Sequence, residues 1–174
     1  MHLSELLQED LVKTSLDAAT KWEAIEELVD LLISAHELRL NDRAAVLEAV
    51  ATREKSMSTG LARGLAVPHG AADCVREVVA SLGISRSGIP FDSADGKPAK
   101  LIVLLVIPAD SFQRHVGTLA GIARLARNED LRNRIYAAQS AAEVMDVIFE
   151  LEARQGPQEP QEPGEQPPEE PQLT

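Results

Sequence analysis

Residues 100–107 read KLIVLLVI, a nearly unbroken apolar run. A strand that is covered on both faces has this composition, because neither of its faces meets water. We therefore expect this run to be the central strand of a sheet. Two other apolar runs predict further strands: residues 65–67 are short, and residues 78–84 alternate loosely before a close at Gly88.

Helical patterns surround these strands. Three predicted helix starts carry capping residues: Thr20 with Glu23, Asn41 with Asp42, and Ser140 with Glu143. Residues 112–127 and 131–138 predict two more helices. The apolar side chains expected to face the core include Trp22, Ile25, Val29 and Leu32, then Val46, Leu47 and Val50, then Val116, Leu119, Ile122, Ala123 and Ala126. These patterns predict an α/β or α+β layered domain in which helices flank a sheet of four or five strands.

The composition is that of one soluble domain followed by a tail. A formal net charge of −11 in 174 residues argues against a nucleic-acid partner, whose phosphates need a basic face. No segment is long and apolar enough to cross a bilayer, and the first residues lack a secretory signal, so we expect a cytoplasmic protein without membrane insertion. The lone Cys74 is interpreted as a structural thiol.

The chain changes character after Arg154. Six of its ten prolines and five glutamates fall in the last segment, which contains no lysine or arginine. Such a segment has little to bury, so we expect residues 153–174 to form a disordered Pro/Glu-rich acidic tail after a domain at residues 1–152.

His69 is the first candidate for chemistry. It follows Pro68, which ends the short strand, and it precedes Gly70 in a polar segment, so we expect a histidine presented to solvent rather than buried. A loop histidine is commonly just a solvated side chain, so this feature alone does not establish a site. His115 follows the central strand and opens a helical pattern. If the two strands are parallel neighbours, both histidines reach one crevice.

A cluster of phosphoryl-binding residue types precedes His69. Arg53 offers a planar guanidinium fork, while Ser58 and Thr59 offer hydroxyl donors. Gly60 and Gly70 permit a close approach of backbone to a phosphoryl group. The competing interpretations are an exposed arginine at a helix end and a core histidine at His115.

Other chemistries fit the sequence less well. Two histidines without a third strong ligand make a zinc centre improbable, and we expect no metal and no cofactor. The chain lacks a Gly-x-Ser-x-Gly motif and a P-loop, and no activated nucleophile accompanies His69 as a hydrolase base.

From Leu3 to about Phe149, the order of these motifs resembles the enzyme IIA domains of the bacterial phosphotransferase system, in the fructose/mannitol and nitrogen-regulatory class. The motifs that carry the resemblance are Arg53-Glu54-Lys55, Ser58-Thr59-Gly60, Gly64-Leu65-Ala66-Val67-Pro68-His69, Gly88-Ile89-Pro90-Phe91-Asp92, Asp95-Gly96 with Pro98, and His115 before Leu119-Ala120. The resemblance implies a mixed sheet with helices on both faces.

The same resemblance implies a phosphotransferase with a phosphohistidine intermediate. His69 would accept the group from the phosphocarrier protein HPr, with His115, Arg53 and Thr59 as its companions and Ser58, Gly60 and Gly70 around the phosphoryl group. The acceptor would then be an enzyme IIB cysteine in sugar uptake, or the protein would act as a free-standing nitrogen-related regulator. The alternative is a binding module that keeps the fold without phosphotransfer. Ala62-Arg63 and Ala71 depart from the residues that are common in this family. These departures bear on the docking of partner proteins more than on the phosphorylation of His69.

Overall fold

The computed structural model describes residues 1–155, which form helices around one sheet. The α-helices of this part of the chain are α1 (Leu3–Leu6), α2 (Lys21–Ser34), α3 (Arg43–Ser56), α4 (Val116–Ala123), α5 (Glu129–Ala137) and α6 (Ala141–Gln155). Its strands are β1 (Val12–Lys13), β2 (Leu65–Ala66), β3 (His69–Ala72), β4 (Val79–Ile89) and β5 (Ala99–Pro108). Short 3₁₀ segments cover Glu9–Leu11, Leu40–Asp42, Ala109–His115 and Arg124–Arg127.

The sheet is mixed, and β5 lies at its centre. The strand order is β1-β4-β5-β2, with β3 also paired to β5. Strands β4 and β5 are antiparallel, whereas β1 runs parallel to β4 and both β2 and β3 run parallel to β5. Leu65 lies opposite Leu101 and His69 opposite Leu105, so β2 and β3 follow each other along one side of β5. The predicted α/β architecture with a sheet of four or five strands is therefore confirmed.

The core lies on both sides of β5. Every residue from Leu101 to Pro108 is buried, and because successive side chains of a strand point to opposite faces, both faces must be covered. Helix α2 packs on β4, where the Ser81 hydroxyl donates a hydrogen bond of 3.0 Å to the Leu28 carbonyl. Helix α3 packs on β3, which places the end of α3 beside His69.

The capping signals predicted the helix starts well. The Thr20 hydroxyl accepts a hydrogen bond from the Glu23 N–H, and the Glu23 carboxylate accepts one from the Thr20 N–H. The Ser140 hydroxyl likewise accepts a hydrogen bond of 3.2 Å from the Glu143 N–H. These contacts satisfy amide groups that the first helical turn leaves without an internal partner.

Two core assignments were wrong. Trp22 is 38% exposed. The ammonium groups of Lys21 and Lys55 lie 5.3 and 5.8 Å from its ring centroid, so the indole makes cation–π contacts at the surface instead of entering the core. Val116 is 49% exposed. The predicted helix over 112–127 is a short α-helix between two 3₁₀ segments. Val116 and Ile122 both lie in this α-helix, and a separation of six residues places them about 120° apart around its axis, on different faces.

The ends of the domain also differ from the prediction. Helix α1 and strand β1 were not predicted, because elements of four and two residues carry too little periodicity. Helix α6 continues to Gln155, three residues past the predicted end of the domain at 152. The rest of the predicted tail lies outside the described residues. In residues 1–155, no helix combines the length and the apolar character that a membrane span requires.

Candidate active site

His69 begins a strand rather than a loop. The side chain that was predicted to face solvent is only 7% exposed, and its backbone opposes Leu105 of β5. Pro68 interrupts the edge of the sheet, but its carbonyl accepts a hydrogen bond of 3.1 Å from the Leu105 N–H, so pairing resumes at once. The imidazole is therefore held by the sheet and covered by neighbouring side chains, which corrects the prediction of an exposed histidine.

The Val67 carbonyl determines the tautomer of His69. Its oxygen lies 2.9 Å from Nδ1 of the imidazole. A carbonyl oxygen can only accept, so Nδ1 must carry the hydrogen and Nε2 must hold the free lone pair when the ring is neutral. Burial lowers the pKa of His69 below its ordinary value; the Arg53 guanidinium also lowers it, while the hydrogen bond to Val67 and the Glu54 charge act in the opposite direction. Neutral His69 is thus the dominant form at pH 7.

An open groove lies beside the imidazole. The residues that line it come from the last turns of α3, the start of β3 and the segment after β5: Ala49, Thr52, Arg53, Ser56, His69, Gly70, Ala71 and Phe112. The Phe112 ring stacks on His69 with a centroid separation of 6.1 Å and an interplanar angle of 30°. Sequence reasoning used Phe112 only as the start of a helix. Its position just after the central strand was the signal that could have placed it at the site.

Arg53 lies in the groove with His69, as the sequence predicted. It is half-buried in the last turn of α3, and its Nη1 donates a hydrogen bond of 2.7 Å to the Met57 carbonyl. That bond orients the guanidinium and leaves its other N–H groups for a ligand. Arg53 thus supplies a fixed positive charge in the same groove as the imidazole.

The hydroxyl groups of Ser58 and Thr59 have other partners. Ser58 donates its hydrogen to the Phe91 carbonyl, and Thr59 donates its hydrogen to the buried Glu54 carboxylate at 2.5 Å. Neither residue lines the groove. Because a hydroxyl has one hydrogen to donate, the geometry does not support the predicted donation to phosphoryl oxygens. These side chains instead fix the loop between α3 and β2.

The two predicted phosphoryl-binding glycines serve close packing. A Cβ at Gly60 would lie 2.7 Å from the Phe91 carbonyl oxygen, and a Cβ at Gly70 would lie 2.8 Å from the Val50 nitrogen. Gly70 therefore lets β3 approach α3 closely enough to form the groove, which it also lines. Gly60 lets the loop pass the turn after β4 and does not line the groove.

Glu54 is the site residue that sequence reasoning missed. Its side chain is only 2% exposed, and it accepts hydrogen bonds from the backbone and hydroxyl of Thr59 and from Nζ of Lys21. Lys21 also bonds Asp92 at 2.8 Å. The signal was present in the sequence: Val46, Val50 and Glu54 repeat every four residues, so the buried face of α3 carries a carboxylate.

His115 does not line the groove beside His69. It is half-buried at the start of α4, and its Nδ1 is buried without a hydrogen-bond partner among the described residues. Burial lowers its pKa, and Arg114 lowers it further. Within residues 1–155 no hydrogen bond joins the two histidines. The ring that stacks on His69 is that of Phe112, and a role for His115 in the reaction stays a prediction.

Residues 1–155 contain no group of three or more His, Cys, Asp or Glu side chains that could hold a metal ion. Burial raises the pKa of Cys74, which keeps its thiol protonated. The reactive groups around the groove are therefore a neutral imidazole and one guanidinium. This pair suits transfer of an anionic group to nitrogen, in which positioning and charge compensation matter more than proton transfer.

Comparison with known families gives one match over almost the whole described chain. The family model for the phosphoenolpyruvate-dependent sugar phosphotransferase system, EIIA 2, matches residues 5–151. A fructose-specific EIIA component of this system from Haloferax volcanii is 35% identical over 149 residues, which cover 86% of this chain and 96% of that protein. A nitrogen regulatory protein from Klebsiella oxytoca is 31% identical, covering 86% of this chain and 91% of its own length.

Solved structures give the same fold. The nitrogen regulatory protein IIA-Ntr from Neisseria meningitidis superposes with a TM-score of 0.76 at 29% identity, covering 84% of this chain and 98% of that one. The mannitol IIA protein of Escherichia coli has a TM-score of 0.70 at 22% identity, over 82% of this chain and 98% of that one, and it shows similarity of fold alone. A further structure contains a mannitol IIA enzyme in complex with phosphorylated enzyme IIB, at 21% identity over 83% of this chain and 97% of that one, with a TM-score of 0.70.

Proposed function

Because this chain belongs to the EIIA 2 family of the phosphoenolpyruvate-dependent sugar phosphotransferase system, we propose that it carries a phosphoryl group on Nε2 of His69. Members of this family are phosphotransferases. The observation that supports the choice of atom is the hydrogen bond between Nδ1 of His69 and the Val67 carbonyl, which leaves Nε2 as the nitrogen with a free lone pair.

The transfer needs no general base. The lone pair of Nε2 attacks phosphorus, the bond from phosphorus to the donor nitrogen breaks, and the donor imidazole keeps that electron pair. The positive charge that develops on the His69 ring is shared with Nδ1–H, where the Val67 carbonyl stabilises it through a stronger hydrogen bond. The lowered pKa of His69 keeps the attacking ring neutral at pH 7.

Arg53 is the group that compensates phosphoryl charge. It lines the same groove as His69, and its contact with the Met57 carbonyl holds the guanidinium in place before the phosphoryl group arrives. A preorganised cation is most effective when it does not reorient during transfer. The Phe112 ring shields one side of the imidazole from water, which protects a labile phosphohistidine.

The donor is the phosphocarrier protein HPr, and the reaction takes place in the cytoplasm. The relatives support two possible fates, here called outlets, for the phosphoryl group on His69. One is an enzyme IIB cysteine in sugar uptake, supported by the fructose-specific relative at 35% identity and by the mannitol IIA complex with phosphorylated enzyme IIB. The other is regulation, in which the charge of phospho-His69 alters binding to a target protein, supported by the nitrogen regulatory relative.

The test is a reconstituted phosphorylation followed by intact mass. The full chain is incubated with phosphoenolpyruvate, enzyme I and HPr, beside His69→Ala and a control, His36→Asn. His36 lies after α2 with φ 63°, a conformation that asparagine tolerates well. We expect one acid-labile phosphoryl group on wild type and control and none on His69→Ala. An unlabelled wild type beside phosphorylated HPr would identify a binding module without phosphotransfer.

The outlet is tested by adding a fructose-type enzyme IIB to the isolated phosphoprotein. Loss of the label from the chain with appearance of a phosphocysteine on enzyme IIB would assign the uptake outlet. A phosphoprotein that keeps its label beside a competent enzyme IIB would assign the regulatory outlet.

A further inference from the structure

A buried carboxylate lies one residue from Arg53 and faces away from the groove. Glu54 is 2% exposed, and its oxygens accept hydrogen bonds of 3.1 and 3.2 Å from the Thr59 N–H and one of 2.5 Å from the Thr59 hydroxyl. Lys21 of α2 approaches it at 3.3 Å. A buried charge is costly unless it is paired and hydrogen-bonded, and this one has both kinds of partner.

The contacts of Thr59 continue to His69. The Thr59 carbonyl accepts a hydrogen bond of 3.1 Å from the Val67 N–H. The Val67 carbonyl in turn accepts the Nδ1–H of His69 at 2.9 Å. Two residues, Thr59 and Val67, thus connect the Glu54 carboxylate to the imidazole. The Val67 carbonyl is the group that holds the imidazole tautomer.

We propose that Glu54 is a positioning residue for His69, because it fixes Thr59 and thereby the Val67 carbonyl that holds Nδ1–H of the imidazole. Glu54 does not contact the ring or the groove. Its carboxylate holds both donors of Thr59 at once, so the Thr59 carbonyl cannot rotate away from Val67. The kinetic part of this inference rests on the proposed function of His69, whereas the structural part concerns the unphosphorylated protein alone.

Lys21 completes the arrangement from another element. Its ammonium bonds both Glu54 and Asp92, which joins the start of α2, the end of α3 and the turn after β4. Burial opposes the charge of Lys21, but the hydrogen bond to Asp92 and the charge of Glu54 outweigh that effect and raise its pKa. Glu54 therefore keeps a charged partner at neutral pH, and both of its oxygens accept hydrogen bonds from Thr59.

The obvious variant is Glu54→Gln, whose amide keeps one acceptor and loses the ion pair. A milder pair alters the other partner: Thr59→Val removes only the hydroxyl, and Thr59→Ser restores it. Glu27→Gln is the matched control, because Glu27 accepts hydrogen bonds from the Asp17 and Ala18 amides and from Lys13. Its partners lie in other segments than those that line the groove.

Each variant is measured in three ways. Thermal unfolding reports whether it folds, long-range ¹H–¹⁵N spectra at pH 8 report the tautomer of His69, and a rapid-mixing assay with phospho-HPr reports the rate of phosphoryl acceptance. We expect Glu54→Gln and Thr59→Val to mix the two neutral tautomers and to slow acceptance by about ten- to a hundredfold, the range that small misplacements cost. Thr59→Ser and Glu27→Gln should keep the Nδ1–H form and the wild-type rate.

The outcomes separate the two claims. Folded Glu54→Gln and Thr59→Val with an unchanged tautomer would overturn the inference, whether or not their rates fall, since a slower rate alone would reflect loop stability. If Glu54→Gln does not fold, the His69 tautomer in Thr59→Val and Thr59→Ser tests the inference instead. If wild type accepts no phosphoryl group, the proposed function fails, but the tautomer spectra still decide whether Glu54 positions His69.

Discussion

The Val67 carbonyl oxygen and Nδ1 of His69 lie 2.9 Å apart, although only Pro68 separates the two residues in sequence. Pro68 lies between β2 and β3, and its carbonyl accepts a hydrogen bond from the Leu105 N–H, while the Val67 carbonyl turns toward the imidazole that follows it. The proposed nucleophile and the carbonyl that selects its tautomer are thus provided by one tripeptide. This relationship determines how the site responds to pH and to substitution.

The titration of His69 is the first consequence. Burial lowers its pKa below the ordinary value, so the folded protein takes up this proton at lower pH than the unfolded chain. Stability should therefore fall as pH decreases from about 6.5, the ordinary histidine value, through the folded pKa. An NMR titration of the imidazole measures the shift. A midpoint for His69 at or above the ordinary value would contradict the burial seen here.

Removal of Phe112 should raise the pKa of His69. The Phe112 ring stacks on the imidazole and contributes to its burial, so Phe112→Ala admits water and favours the charged form. Phe112→Leu should give a smaller change, because it keeps more apolar cover. Val116→Ala, at an exposed position four residues on, is the control. An NMR midpoint that stays at the wild-type value in Phe112→Ala would show that the ring does not shield the site.

Arg53→Lys should slow phosphoryl acceptance without changing the tautomer of His69. Lysine keeps a positive charge but lacks the planar fork, and it would lose the arrangement that the Met57 carbonyl imposes. We expect the rate to fall by about tenfold or more, as when one oriented donor is lost from a transition state. Arg43→Lys, in an exposed ion pair with Asp30, is the matched control. Equal rates of phosphoryl acceptance for Arg53→Lys and wild type would show that the Arg53 guanidinium does not assist the transfer.

Gly70→Ala should destabilise the domain. The added Cβ would lie 2.8 Å from the Val50 nitrogen and 2.9 Å from the Ala49 carbonyl carbon, and backbone atoms at that distance must move apart. Overpacking of this kind costs about 1–3 kcal/mol, measurable as a lower free energy of unfolding in urea. In α4, Gly117 has open space at its Cβ position, so Gly117→Ala should be neutral or stabilising. Similar destabilisation by both substitutions would show that contact with α3 is not the cause.

The sequence predicted the parts of the fold that are governed by local signals. Residues 100–107 form the buried central strand because an unbroken apolar run needs cover on both faces. Thr20 and Glu23 start α2 because their side chains satisfy its free amides. Val116 was misplaced because the predicted apolar face was drawn too wide: it lies about 120° around α4 from the buried Ile122.

The candidate site was predicted in part, for a related reason. The family resemblance, rather than residue types alone, predicted Arg53 beside His69, and both residues line one groove. The partners of Thr59 and of Nδ1 of His69 depend on backbone positions that residue types do not specify. The long-range contact of Phe112 with His69 depends on the path of the chain after β5.

The most direct test of the central claim is the position of the phosphoryl group on the imidazole. The protein, labelled with ¹⁵N in its histidines, is phosphorylated by phospho-HPr and examined by long-range ¹H–¹⁵N and ³¹P NMR. Phosphorus coupled to Nε2 of His69, with Nδ1 still protonated beside the Val67 carbonyl, is the expected result. A phosphoryl group on Nδ1 of His69, or on His115, would contradict the account.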